Sequence, residues 1–422
     1  MRQHELRTQV VKEMHLRRWE MLCVPCLYMQ WVVLLEPDER EAEYTAIEKR
    51  LGALNNGGNT THRSGRLSER VAFTWERHSE GTTISLFVDR GTADEFLHLK
   101  EHAELAAAID WVESLPGAVL RATRAIVVDK EKEAETIVAR TGFESHELVS
   151  CHIGKSARIW SDFRVKPDGF GAIIIASSGT KPSDLTRLIQ RLQELGNYRN
   201  RALLGLPIAQ KIWPSLNQTE SDLTDIAHRI AEGRDTDDQL MREISELSVN
   251  LNAGITEASF RMSATAAYGS LVDERLKELE SRRIEGYASL NYFTQRRFAP
   301  AVRFCSAVTK RQGELAERAG QLATLLRARI ETRIENQNGR LLRSMDRNAA
   351  MQLRLQRLVE GLSIVAASYY ALGVISYVLG GLSKLVPAID KDLVLAILVI
   401  PVVIGIYAFV QAAKKRLLDN SE

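Results

Sequence analysis

Two short segments, "TWERH" and "WSDFR", hold the side chains best suited to chemistry in this sequence. In a strand, alternation would place Arg77 on one face and both Glu76 and His78 on the other. A carboxylate beside an imidazole can bind a metal ion or transfer a proton. Arg77, together with Asp162 and Arg164, could hold an anion or form an ion pair. The sequence favours the simpler interpretation, a sheet face whose charged residues pair with one another.

The cysteine spacing gives little evidence for a metal or redox site. Cys23 and Cys26 form a "CVPC" segment, but a metal or redox site would need a second ligand pair or a following helix start, and only His15 lies nearby. We therefore predict two small apolar residues that enter the first strand. No Walker, Rossmann, nucleophile-elbow or zinc pattern occurs, so we expect a protein that is not an enzyme and has no cofactor.

Composition narrows the class of protein further. The chain has 422 residues and a formal net charge of only +2, which does not support nucleic-acid binding. The length is sufficient for two or three domains, and the 26% of charged residues indicates a mostly water-soluble body. The N-terminus carries charges throughout and has no apolar signal-peptide core, so this body should be cytosolic.

The elements that position these residues are predicted from local patterns. Apolar runs such as "LYMQWVVLL" and "GAIIIAS", with a hairpin signal at "SEG", indicate an open sheet with helices on it. The turn pattern "PDGFG" predicts a positive φ at Gly169 before the next strand. From Pro182 onward the pattern is helical, and Pro300 in "FAPAVRF" marks a further helix start. The predicted domains are a cytosolic α/β domain at 1–196, a helical stalk at 197–357, a two-span transmembrane hairpin at 358–413 and a basic cytosolic tail at 414–422.

The predicted stalk carries a heptad seam, with an unbroken alternation of four and three residues. Its members are Ile330, Ile334, Gln337, Leu341, Ser344, Asn348, Met351, Leu355, Leu358 and Leu362. The polar members Gln337, Ser344 and Asn348 would set register and oligomer number in a self-associating stalk. An antiparallel helical bundle within one chain is the alternative.

Two charge-free runs, 361–382 and 393–413, are each about as long as the ~20 residues that cross a bilayer. The connection between them is short and formally neutral, whereas the flanks are basic, so both termini should be cytoplasmic. Arginines and lysines beside the two spans are expected to contact lipid headgroups: Arg354, Arg357, Lys414, Lys415 and Arg416.

Small and hydroxyl-bearing residues share one face of the first span, at spacings of three and four. They are Ser363, Ala366, Tyr370, Gly373, Tyr377 and Gly380. Such a stripe either packs against other helices or lines a pore. Because neither span contains a charged residue, packing is favoured over conduction.

Long blocks of the sequence resemble a bacterial family of predicted membrane-anchored proteins with a domain of unknown function. These blocks include "FTWERHSE", "WSDFRVKPDGFG", "YRNRALLGLP", "RRFAPAVRFC" and "ENQNGRLLRSMDRNAAMQLRLQRLVEGLSIVAASYY". The segment "MHLRRWEML" departs from the His-Ala-Arg-Pro stretch usual in that family. The resemblance implies membrane attachment and carries no activity.

In layout, the chain is also similar to CorA-type divalent cation transporters. That resemblance implies a homo-oligomer with a long stalk helix that continues into the first span. The Gly-Met-Asn selectivity motif of those transporters is missing, so no residue here carries over for divalent cations. We therefore expect an α+β membrane protein of the bacterial inner membrane, a homo-oligomeric scaffold or binding module whose expected partner is the lipid bilayer. The alternative is a CorA-like channel.

Overall fold

The computed structural model describes residues 3–7, 11, 19, 21–51, 61–385 and 390–419. The side chains of 383–385, 391 and 415–419 are not described, so His15 and the predicted headgroup contacts of Lys415 and Arg416 lie outside the described part. The chain divides into two compact units, Met1–Ala323 and Thr324–Glu422.

The first unit alternates strands and helices before becoming entirely helical, apart from one short edge strand. Its strands are β1 (Cys26–Leu34), β2 (His62–Arg66), β3 (Val71–Arg77), β4 (Gly81–Val88), β5 (Ala118–Val128), β6 (Val149–Ile153), β7 (Ala157–Ser161), β8 (Gly171–Ala176) and β9 (Arg282–Arg283). Its helices are α1 (Glu39–Leu51), α2 (Ala93–Leu97), α3 (Ala103–Glu113), α4 (Glu131–Arg140), α5 (Pro182–Leu203), α6 (Gly205–Glu232), α7 (Asp237–Glu278) and the start of α8 (Leu290–Leu385).

The described strands form one open, mixed sheet in the order β2-β3-β4-β1-β5-β8-β7-β6-β9. β5 pairs with β8 in parallel, whereas β1 pairs antiparallel with both β4 and β5. The predicted β3–β4 hairpin is confirmed, with Trp75 opposite Ile84. Gly169, in the turn before β8, has φ of +86°, as the "PDGFG" pattern predicts.

Each face of the sheet has its own hydrophobic core, because successive side chains of a strand point to opposite faces. Met29 and Trp31 of β1 belong to the first core, under helices α1 to α4. Tyr28 of β1 belongs to the second core, which packs against Leu192 of α5 and Val272 of α7. A mostly apolar strand such as β1 is expected when both faces of the sheet are covered.

A third core lies among the long helices of the first unit. Leu216 of α6, Met262 of α7 and Val308 of α8 are among its buried members. The predicted helix start at Pro300 is wrong, since α8 begins at Leu290 and Pro300 lies inside it. Leu290 and Phe298 are 0% and 4% exposed, so packing against the second core holds the turns before the proline in helical form.

The second unit contains the rest of α8 and a final apolar helix, α9 (Lys391–Asp419). As predicted, α8 is one unbroken helix through residues 324–382. Both helices are long and apolar enough to cross a membrane, with mean hydropathy of 1.8 and 3.0 in their most apolar windows. Length and composition of two helices are weak evidence for membrane association.

Candidate functional site

The predicted Glu76–His78 group lies at the end of β3. Alternation is as expected, since Trp75 is fully buried in the first core whereas Glu76 is half-buried and stands opposite His62 in the β2–β3 register. His78 Nε2 lies 2.9 Å from the Thr83 hydroxyl. Arg77 Nη2 donates to the Arg40 carbonyl at 3.3 Å. These side chains therefore have structural partners on neighbouring elements.

Asp162 follows β7 and is 2% exposed. Its carboxylate accepts hydrogen bonds from the backbone N–H groups of Glu144 (3.2 Å) and Arg164 (3.1 Å) and from Lys166 Nζ (2.6 Å). The Arg164 side chain instead binds Glu147 at 2.6 Å, and this hydrogen bond lowers the pKa of Glu147. Asp162 thus anchors a loop, with its oxygens already occupied.

The structure does not bring Arg77 together with Asp162 and Arg164. β3 is second and β7 is seventh in the strand order, so five strand spacings separate them. At ~4.8 Å per spacing this amounts to roughly 24 Å, far beyond any shared ligand of small size. The two predicted halves of an anion site are separate features of the sheet.

Cys26 opens β1 and is buried, whereas Cys23 is exposed. Burial, followed by the nearby Cys23 and Asp89, raises the pKa of Cys26 to about 12, which keeps it a thiol at neutral pH. Such a group is a poor nucleophile and a poor metal ligand. Among the residues that the structure describes, no group of three or more His, Cys, Asp or Glu side chains is placed to hold a metal ion.

A buried polar layer between the sheet and α5 was not predicted from the sequence. Gln30 of β1 is 2% exposed and accepts a hydrogen bond from Asn197 Nδ2 at 2.9 Å. Arg121 of β5 donates to Asn197 Oδ1 at 2.7 Å. One turn earlier in α5, Gln193 Oε1 accepts from the Thr123 hydroxyl at 3.0 Å. The layer joins three distant parts of the chain.

Within this layer, the Arg121 cation meets amide oxygens and no described carboxylate. Burial, together with the nearby Arg199 charge, lowers the pKa of Arg121 to about 9. A Cβ atom at Gly196 would lie 2.6 Å from Arg121 Nη2, so a larger residue there would have to displace the Arg121 guanidinium. The arrangement fixes α5 on the sheet by directional hydrogen bonds.

Two signals in the sequence point to this layer. Gln30 interrupts the otherwise apolar β1 run, and a polar residue in a strand buried on both faces needs a hydrogen-bond partner. In α5, Gln193 and Asn197 are four residues apart and therefore share a helix face. Neither signal identifies the partner, because Gln30 and Asn197 are 167 positions apart.

In the second unit, the polar seam residues Gln337, Ser344 and Asn348 are all exposed in the single chain. Apolar seam members are exposed as well: Leu341 (61%), Met351 (63%), Leu355 (55%), Leu358 (65%) and Leu362 (70%). Off the seam, Leu342 and Met345 are 63% and 59% exposed. The exposed apolar surface of this helix is therefore wider than a single seam.

The predicted stripe of the first span also faces outward. Tyr370 and Tyr377 are 73% and 87% exposed, and Ser363 and Ala366 are exposed too. Gly373 and Gly380 are partly exposed, with no atom within 4 Å of a Cβ added at Gly373. Buried Ser368 lies elsewhere on the helix.

A polar contact joins the two helices of the second unit. Glu360, just before the first apolar run, accepts hydrogen bonds from Lys414 Nζ (3.0 Å) and Gln411 Nε2 (3.2 Å) near the end of α9. Arg354 and Arg357, the other predicted headgroup contacts of known position, are exposed. The beginning of one apolar run thus meets the end of the other.

Comparison with known proteins gives a family and no activity. No curated protein and no solved structure is significantly similar to the chain. Residues 2–417 match the family described as protein of unknown function (DUF3422), which confirms the resemblance expected from the sequence blocks. This match extends over nearly the whole chain, and the chain therefore belongs to the DUF3422 family.

Proposed function

We propose that this chain is a membrane-anchored, homo-oligomeric scaffold or binding module. In this proposal α9 and the last part of α8 form a two-span hairpin in the inner membrane of a bacterium, and the sheet unit binds its partner in the cytoplasm. The observation that carries the proposal is the repeated exposure of large apolar side chains along α8, from Leu341 to Tyr377. Large exposed apolar surfaces are rare on soluble monomers and mark sites of contact with lipid or protein.

The contact of Glu360 with Lys414 supports the hairpin. It brings the start of the first span and the end of the second to one level, as two antiparallel spans require. Exposed Arg354 and Arg357 precede that level by less than two helical turns, where basic residues can meet anionic headgroups. Both flanks would then face the cytoplasm.

Cysteine labelling in spheroplasts tests the topology. In a Cys23→Ala background, a membrane-impermeant maleimide should label Ser383→Cys and should fail to label Ser421→Cys until the membrane is permeabilised. Labelling of Ser421→Cys in intact spheroplasts would contradict the hairpin.

The exposed heptad seam supports self-association, since within the described residues its apolar members remain uncovered. Replacement of Asn348 by Leu should alter oligomer number or register, because a buried polar ring would be lost. Light scattering of the detergent-solubilised protein measures the mass. Asn336→Leu is the matched control, as it makes the same change off the seam. A monomeric wild type with an unchanged Asn348→Leu mass would contradict the oligomer.

The second candidate function is a CorA-like channel without the Gly-Met-Asn motif. The outward stripe with Tyr370 and Tyr377 favours it, because hydroxyls facing a lumen would contact ions or their water. Ion flux into liposomes that changes with Tyr377→Phe, while assembly is intact, would favour the channel. If the stripe packs helices together, Gly373→Leu and Gly380→Leu should weaken association, and the Tyr377→Phe change should have little effect.

A further inference from the structure

Two arginines beside the β3–β4 turn have buried nitrogen atoms that meet no acceptor in the described part of the chain. Arg201 of α5 is 2% exposed, and its Nε and Nη2 atoms have no hydrogen-bond partner among the described residues. Arg261 of α7 likewise has a buried Nη1 without a partner. Buried guanidinium groups usually meet carboxylates or phosphates, because desolvation of an unpaired cation is costly.

Both arginines belong to one cluster around the turn residue Glu80. Arg261 Nη2 lies 2.6 Å from Glu80 Oε1, and the Tyr268 hydroxyl donates to Glu80 Oε2 at 3.1 Å. The Tyr268 ring in turn lies 5.9 Å from Arg201 Cζ and stacks on Tyr198 at 6.0 Å. We call these five residues the Glu80 cluster.

The charges in the cluster are unevenly matched. Glu80 is within ion-pair distance of Arg261, whereas Arg201 forms no ion pair with a described carboxylate. Glu194, about two turns earlier in α5, is bound to Arg275 at 2.6 Å. The donor atoms that remain are Nε and Nη2 of Arg201 and Nη1 of Arg261. A guanidinium fork of this kind matches the paired oxygens of an oxyanion.

We propose that the Glu80 cluster is a binding site for a small oxyanion, a phosphate or carboxylate group of a cytosolic ligand. The anion accepts hydrogen bonds from Arg201 and Arg261, while the Tyr198 and Tyr268 rings form the wall beside it. It enters from the side of Arg261, whose side chain is 20% exposed. This inference names the ligand class of the proposed binding module, and it rests on the first unit alone.

Anion binding is tested on the full chain in detergent, by thermal unfolding followed through tryptophan fluorescence. Inorganic phosphate and succinate are titrated against sodium chloride at matched ionic strength. One of the two oxyanions should raise the wild-type melting temperature in a saturable way, since a ligand of the folded state stabilises by mass action. The absence of saturable stabilisation by both would overturn the proposal.

Variants separate a binding site from a structural cation. Arg201→Met should remove the anion effect without lowering the melting temperature in chloride, because an apolar side chain replaces an unpaired buried charge. Arg261→Gln should weaken apparent affinity about tenfold, through loss of charge-assisted hydrogen bonds. The Arg261→Gln variant still tests the site if Arg201→Met does not fold. Exposed Arg242→Gln, on the same helix, is the control.

Glu80→Gln gives a test of opposite sign. Loss of the internal carboxylate frees Arg261 and Tyr268, so the oxyanion should bind severalfold more tightly than to wild type. Equal affinity in wild type, Arg201→Met and Arg261→Gln would overturn the site. These outcomes do not depend on oligomer number or topology, so failure of the anion site and failure of the membrane proposal are distinguishable.

Discussion

The two units of this protein differ in where their large apolar side chains lie. In Met1–Ala323, Trp31, Trp75 and Trp160 are at most 2% exposed, whereas in Thr324–Glu422, Leu358 and Tyr377 are 65% and 87% exposed. The sheet unit buries its apolar residues within the single chain. The helices of the second unit do not, and we infer that lipid and other copies cover them. In that proposal, a single chain completes the fold of the first unit and leaves the second unit to be covered by lipid and other copies.

The largest expected effect comes from truncating a core residue of the sheet unit. Phe73 is fully buried and contacts the Trp111 ring edge-on at 5.1 Å, so Phe73→Ala should lower the free energy of unfolding by about 3–5 kcal/mol. Urea unfolding followed by tryptophan fluorescence measures this, because all six tryptophans lie at or before Trp213. Leu358→Ala should change the free energy of the same unfolding transition by less than about 0.5 kcal/mol. Equal losses of unfolding free energy in the two variants would contradict the difference between the units.

A smaller effect is expected from a buried charge of the sheet unit. Asp162→Asn leaves the Lys166 ammonium, whose side chain is 11% exposed, without its carboxylate, and should cost about 3 kcal/mol. The same urea transition measures it. The control is Arg164→Gln, which breaks a pair with a 51% exposed arginine and should cost less than about 1 kcal/mol. A cost for Asp162→Asn as small as for Arg164→Gln would show that the loop tolerates the unpaired lysine.

The third prediction concerns pH. Glu43 of α1 is fully buried, and burial raises its pKa despite the hydrogen bond from Thr82 at 2.6 Å. The folded state therefore keeps the proton to higher pH than the unfolded chain does. Stability falls as pH rises from about 4.5 through the folded-state pKa. Glu43→Gln should remove this loss, so that its advantage over wild type grows from pH 4 to pH 7.

Urea midpoints at the two pH values measure this effect, with the exposed Glu41→Gln as the control on the same helix. An advantage of Glu43→Gln that stays constant between pH 4 and pH 7 would show that the carboxyl titrates alike in both states.

The smallest effect should come from the polar contact of the second unit. The side chains of Glu360 and Lys414 are 19% and 45% exposed, and a partly exposed ion pair of this kind is worth roughly 0.5 kcal/mol. A double-mutant cycle with Glu360→Gln and Lys414→Met, read from thermal loss of helical circular dichroism in detergent, gives the coupling energy. A coupling energy above about 2 kcal/mol would show that this contact is shielded from water.

Local patterns predicted several elements correctly, and each success depends on neighbours in sequence. The β3–β4 hairpin follows from two β-rich runs and a short turn, and the positive φ of Gly169 from "PDGFG". The error at Pro300 has a physical cause. Proline favours a first helical turn, but burial of Leu290 and Phe298 outweighs that preference and extends the helix before it.

By itself, the sequence determined the α+β composition, the long helix and its exposed seam, and two apolar runs of spanning length, since periodicity and run length are local properties. Only the tertiary structure decided that β1 lies between β4 and β5, that Arg77 and Asp162 are five strands apart, and that Gln30 meets Asn197. Strand order and buried hydrogen bonds depend on which distant segments pack together, and the free energy of that choice is spread over two cores rather than encoded in any one segment.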